Sequence, residues 1–125
     1  MILEVVVLTA EEAAQAKEAG ADRVEVISGG PSQAATARLG ALVEIQENCG
    51  IPAFSFMKPH PFGFVYSDEE IREIAADIRS QRRAASGFVL GCLTAEGRVH
   101  QEHLERLLEA AGEVPVTFHK AIDLV

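Results

Sequence analysis

An α/β fold built on a helix-covered parallel sheet follows from three features of this 125-residue sequence. Short apolar runs rich in Val, Ile and Phe alternate with longer stretches of helical periodicity. Two of those stretches open with a capping box, Thr9-x-x-Glu12 and Ser67-x-x-Glu70, which satisfies orphan amides of a first helical turn. Glycine or proline marks the breaks. Strands separated by whole helices must run parallel, with each helix serving as a crossover.

Taken in order, the strand-length runs are Ile2–Leu8, Arg23–Ile27, Ala53–Met57, Phe88–Leu90 and Val116–His119. The first helix follows Thr9. The second, over residues 36–48, carries Leu39, Leu42, Val43 and Ile45. The third repeats Ile71, Ile74, Ala75 and Ile78, and the fourth Leu104, Leu107, Leu108 and Ala111. Gly20, Gly50, Gly87 and Gly112 stand where left-handed caps would end these helices. Residues 28–35 read as a long loop after the second strand. The order is therefore β-α-β-α-β-α-β-α-β in one domain, residues 1–125.

Composition narrows the function classes. The hydrophobic share of 48% with 24% charged residues is that of a folded globular domain. A net charge of −8 with no basic stripe argues against a nucleic-acid partner or an anionic membrane surface. Cys49 and Cys92 lie in no C-x-x-C spacing, so reduced thiols and a cytoplasmic setting are expected rather than a disulfide framework. The start, Met1-Ile2-Leu3-Glu4, has no basic region before its apolar run, which speaks against a signal peptide.

Chemistry concentrates on the strands. Two-residue alternation puts Glu4 on one face with Ile2 and Val6, Arg23 and Glu25 on one face with Ile27, and Thr117 with His119. Charges on strands buried under helices must be paired or used. Glu4, Arg23 and Glu25 therefore read either as a fixed ion network or as a working site. His119 ends the last strand beside Lys120 and Asp123, where α/β proteins keep their chemistry, and imidazole suits proton transfer near neutral pH. Lys58 begins the stiff run Lys58-Pro59-His60-Pro61 and makes a fitting anion contact. His60, and the pair His100 and His103, read as solvated side chains, and Cys92 as core filler. Gly29-Gly30 is a weak anion-loop signal, with a plain loop the simpler account.

At these residues the sequence resembles the CutC family of copper homeostasis proteins. The resemblance is carried by Leu3-Glu4-Val5, Gly20-Ala21-Asp22-Arg23-Val24-Glu25, and Lys58-Pro59 with Phe64-Val65-Tyr66-Ser67-Asp68-Glu69-Glu70. Gly91-Cys92-Leu93-Thr94-Ala95-Glu96-Gly97 and Val116-Thr117-Phe118-His119-Lys120-Ala121-Ile122-Asp123 complete it. It implies a TIM-type (β/α) barrel, here a partial one with five of eight strands, a cytoplasmic setting and a role in copper handling. Copper enters through the resemblance alone. The family pattern places cysteines where this chain has Val6 and Ile27, removing soft ligands suited to Cu(I). It places arginines where this chain has Lys58 and Lys120, which keeps charge but loses the bidentate fork. The loop with Pro31-Ser32-Gln33 departs from the pattern as well.

Five parallel strands leave two open edges, so self-association as a homodimer is expected. Three functions remain open: a CutC-like protein of copper homeostasis, a barrel enzyme acting on a small anionic metabolite, or a noncatalytic remnant. For the enzyme, His119, Glu4 and Glu25 would be catalytic, and Arg23, Lys58, Lys120 and Asp123 would bind substrate.

Overall fold

The computed structural model describes residues 1–30 and 32–125. The elements are β1 (Glu4–Val7), α1 (Ala10–Glu18), β2 (Arg23–Val26), α2 (Leu39–Asn48) and β3 (Ala53–Phe56). After them come α3 (Asp68–Gln81), β4 (Gly87–Leu90), α4 (Gln101–Ala111), β5 (Val116–Phe118) and a 3-10 turn, Lys120–Leu124. All five strands are parallel and pair in sequential order, β1-β2-β3-β4-β5. Successive helices pack on one another, α1 on α2, α2 on α3 and α3 on α4. Sequential parallel pairing with helices along one face is the arrangement of a (β/α) barrel, here an open arc of five strands.

The helix-facing side of that arc is the core. Under β1 to β3, Val7, Val24, Val26 and Ala53 meet Ala13, Leu42 and Ile45. Under β3 to β5, Met57, Phe88 and Leu90 meet Ile71, Ile74, Ile78 and Leu107. Each fully buried Ile or Leu of α3 and α4 contributes about 1.5–3 kcal/mol relative to exposure. Of the two capping boxes expected from sequence, the second is complete, Ser67 and Glu70 capping each other reciprocally. In the first, Thr9 accepts the Glu12 amide, but the Glu12 carboxylate accepts the amide of Leu8 instead of that of Thr9.

Two local expectations are corrected. The second helix starts at Leu39 rather than at residue 36. Thr36 and Ala37 instead donate their amides to the carbonyls of Lys58 and Phe56 at 3.1 and 2.9 Å, extending the tip of β3. Gly87 caps no helix. It opens β4, and a side-chain carbon there would clash with the Phe54 ring, Cζ at 2.6 Å and another ring atom closer still, so glycine is needed for a close approach and not for a turn. Gly20, Gly50 and Gly112 do take positive φ at helix ends. No helix among the described residues is long and apolar enough to cross a membrane.

Candidate functional site

Parallel register stacks the side chains of the concave face in layers. Glu4 pairs with Arg23 at the lowest level, and Val6, Glu25, Phe54 and Gly87 lie across the next. Phe56, Val89 and Thr117 form the third level. Lys58 and His119 follow just beyond the carboxyl ends of β3 and β5. A cleft of about 1020 Å³ opens over this face, lined by Val6, Glu25, Ile27, Phe56, Lys58, Phe64, His119, Lys120 and Asp123 among others. Five of the seven candidate residues thus share one wall system. Glu4 and Arg23 do not line it.

Glu4 and Arg23 instead close its base. Arg23 Nε donates to Glu4 at 2.5 Å, and its guanidinium lies 4.3 Å from the centre of the Phe54 ring. Phe54 in turn rests on Gly87. The arginine is held by Glu4 and an aromatic face, which is a structural arrangement. A single rim joining Glu4, Glu25 and His119 does not exist, because register sets the acids of β1 and β2 well below the end of β5. Glu25, one level up, has no ion-pair partner among the described residues. Burial pushes its carboxyl upward, and the Glu4 charge adds to the rise.

Lys58 is only 7% exposed. Its ammonium donates to the Gly63 carbonyl and, at 3.4 Å, to the Tyr66 hydroxyl, and stands 4.2 Å from the centre of the Phe64 ring. No carboxylate neutralises it among the described residues. Burial lowers its pKa, and Lys120 lowers it further. His119 sits beside it between Phe56 and Phe64. Its Nδ1 accepts the Ala121 amide at 3.1 Å, so the neutral ring carries its proton on Nε2. That Nε2 is buried without a hydrogen-bond partner among the described residues. Burial, then the Lys58 and Lys120 charges, push the imidazole down to about 4. At neutral pH it is an uncharged donor and a poor base.

Sequence reasoning missed the aromatic lining, Phe56 and Phe64, and the role of Gly91. A side-chain carbon at Gly91 would lie 2.7 Å from His119 Nδ1, so this glycine seats the imidazole. Its place after β4, level with His119 after β5, is the signal that was available.

The histidines read as solvated are corrected too. His60 pairs with Glu70 at 2.9 Å and packs against Tyr66, holding the loop beside Lys58. His103 is buried at 4% exposure and bonds Asp68 at 2.9 Å, clasping α4 to α3. His100 caps α4 through Nδ1 and stacks on His103 at 3.4 Å. Cys92 is core filler as expected: its thiol is fully buried on the helix side and pushed up to about 11. Cys49 is partly buried and donates to the Ala10 carbonyl. Among the described residues no three His, Cys, Asp or Glu side chains gather to hold a metal ion. The cleft lining contains neither a thiol nor a thioether, so its donors do not fit Cu(I).

Val6 and Ile27, the positions where the family pattern has cysteines, both line the cleft. Comparison with known proteins agrees with the residues that carry that resemblance. The human protein called copper homeostasis protein cutC homolog is 38% identical over 125 residues, 99% of this chain and 46% of its own length. Its mouse counterpart is 36% identical with the same coverage. The chain spans about half the length of the curated relatives it matches. The crystal structure of CutC from Streptococcus agalactiae superposes with a TM-score of 0.90 at 28% identity, over 100% of this chain and 62% of that one. The fold is therefore a partial TIM-type barrel. A family model described as the CutC family matches residues 1–125, and the chain belongs to that family.

Proposed function

We propose that this chain serves copper homeostasis in the cytoplasm, as its relatives are named for, by binding a small anion in its cleft rather than by holding copper. One observation carries the reading: Lys58, 7% exposed, lines the cleft and makes no salt bridge among the described residues. Burying an unpaired ammonium is expensive, and an incoming anion removes that cost. Lys120 adds a second positive charge, and the uncharged His119 ring lines the cleft beside it, its buried Nε2 proton still without a partner among the described residues. Two free cysteines suit a reducing compartment.

Thermal-shift measurements with phosphate, sulfate and short carboxylates test this. An anion held at a hundred times its Kd stabilises the fold by about 2.7 kcal/mol, and Lys58→Met abolishes the response. No stabilisation by any anion would refute it and favour a noncatalytic remnant.

An enzymatic reading draws on a separate observation. Glu25 lines the same cleft with its carboxyl pKa raised, as a proton-handling group requires. In that case Glu25 is the acid or base, and His119 the neutral hydrogen-bond donor to substrate.

The same cleft is open at its sides, because β1 and β5 are sheet edges and Val6 and Leu8 on β1's concave side are 53% and 39% exposed. We infer that a second copy covers these edges, pairing β5 of one protomer with β1 of its partner.

A further inference from the structure

Resting on the anion-binding reading above, we propose that the ligand of this cleft is an amphipathic monoanion. It has one negative head, an apolar body about the size of an aromatic ring, and no second negative charge at its far end.

The cleft is chemically graded from rim to floor. At the rim stand Lys58 and Lys120, with Asp123 beside them. Two positive charges and one negative leave a single net positive charge, since His119 is neutral. One anionic head balances it; a second finds no counter-charge there. Below the rim the lining turns apolar, with Ile27 and Phe56 flanked by Phe64. These three side chains offer no hydrogen bond to a polar ligand body, the polar Ser32 and Gln33 joining the lining from the loop after β2, and covering the apolar stretch gains about 25 cal/mol for each Å² removed from water. The floor is Glu25. It lies level with Phe54, four strand residues below Lys58, which is about 13 Å at the usual rise per residue.

Glu25 therefore meets whatever end of the ligand points away from the lysines. The nearby arginine does not cancel it, because Arg23 is committed to Glu4 and to the Phe54 ring. A second anionic group on the ligand would stand against this carboxylate, and like charges brought together in an interface are strongly disfavoured. A neutral end, or one that donates a hydrogen bond, is accepted. A bare inorganic anion is a poor fit for a different reason: it would use the rim alone and leave the apolar middle wet.

Isothermal titration with three probes that stay ionised across the pH range decides the matter: 4-ethylbenzenesulfonate, benzene-1,4-disulfonate and inorganic sulfate. At pH 7.5 the aryl monosulfonate should bind about tenfold tighter than either of the others. E25Q should bring the disulfonate to within about twofold of the monosulfonate, and K58M should weaken both about tenfold. Wild type at pH 5 gives a second route if E25Q does not fold. Glu25, whose pKa is raised, takes up a proton ahead of an ordinary carboxylate as pH falls, so the gap between the two aryl probes should narrow relative to pH 7.5. Disulfonate binding as tightly as monosulfonate overturns the proposal, as does a gap unmoved by both E25Q and pH. Sulfate binding as tightly as the aryl monosulfonate also overturns it while leaving the anion site standing. Failure of all three probes removes the anion site and the proposal together.

Discussion

Gly91→Ala tests how the imidazole of His119 is held. The added methyl would lie 2.7 Å from His119 Nδ1 and 3.1 Å from the Ala121 methyl. An ordinary contact needs about 3.5 Å, and the nearest ring atom is closer than Nδ1, so the ring must retreat about 1 Å. Its Nδ1 already accepts the Ala121 amide at 3.1 Å, and that movement breaks the bond. Overpacking of this kind costs about 1–3 kcal/mol, and the lost hydrogen bond about 0.5–1.5 kcal/mol more. Urea denaturation should report a destabilisation of about 1.5–4.5 kcal/mol at pH 7.5. The pH dependence gives an independent readout. His119 has a native pKa of about 4 against an ordinary 6.5. Between those values the unfolded chain binds more protons than the folded one, so stability falls as pH drops through that window. Displacing the ring lets its pKa rise toward the ordinary value, and the slope in the variant flattens. Gly87→Ala is the control: it crowds Phe54 at 2.6 Å, costs a similar amount, and leaves the titration of His119 unchanged. A Gly91→Ala protein with wild-type stability and an unmoved imidazole titration, followed by NMR, would refute the seating argument.

Three further outcomes are expected. His103→Ala removes a buried ring that joins α4 to Asp68 of α3, and should cost about 2–4 kcal/mol in chemical denaturation while leaving anion binding intact; a cost under about 0.5 kcal/mol would mean the clasp is ornamental. Light scattering should give twice the 13.4 kDa chain mass, and Val6→Lys, which places a charge on the exposed concave side of the β1 edge, should return the monomer; a monomeric wild type at micromolar concentration counts against the second copy. Cu(I) competition titrations should show the Cys49→Ser, Cys92→Ser double variant binding no more weakly than wild type, since both thiols are engaged or buried away from the cleft; a loss of tight Cu(I) binding in that variant would restore copper as a direct ligand.

The order of strands and helices was legible because every helix carries a start signal or an apolar period, and α3 carries both. Ser67 with Glu70 supplies the first for α3, and its buried isoleucines the second. Residues 36–38 deceived because nothing in their side chains forbids helix. The amides of Thr36 and Ala37 go to the end of β3, a partner set by tertiary contact. His103 was misread for the same reason: its burial depends on Asp68, which is 35 residues away in sequence. Gly87 followed a helix and so resembled a cap, while its true constraint is a phenylalanine on the neighbouring strand.

The candidate site divides along one physical line. Alternation along a strand tells which face a side chain takes, and that sufficed to put Glu25 and His119 on the same concave surface. It says nothing of height. Height comes from register, and register between parallel strands is fixed only when the whole sheet assembles, which is why Glu4 and Arg23 dropped to the base and left Glu25 alone. Register also gathers the departures from the family pattern. Val6, Ile27, Lys58 and Lys120 lie far apart in the chain, yet all four line one cleft. Surface drift would scatter such changes. Their convergence, with soft ligands absent while positive charge is kept, is what the proposed anion site would require.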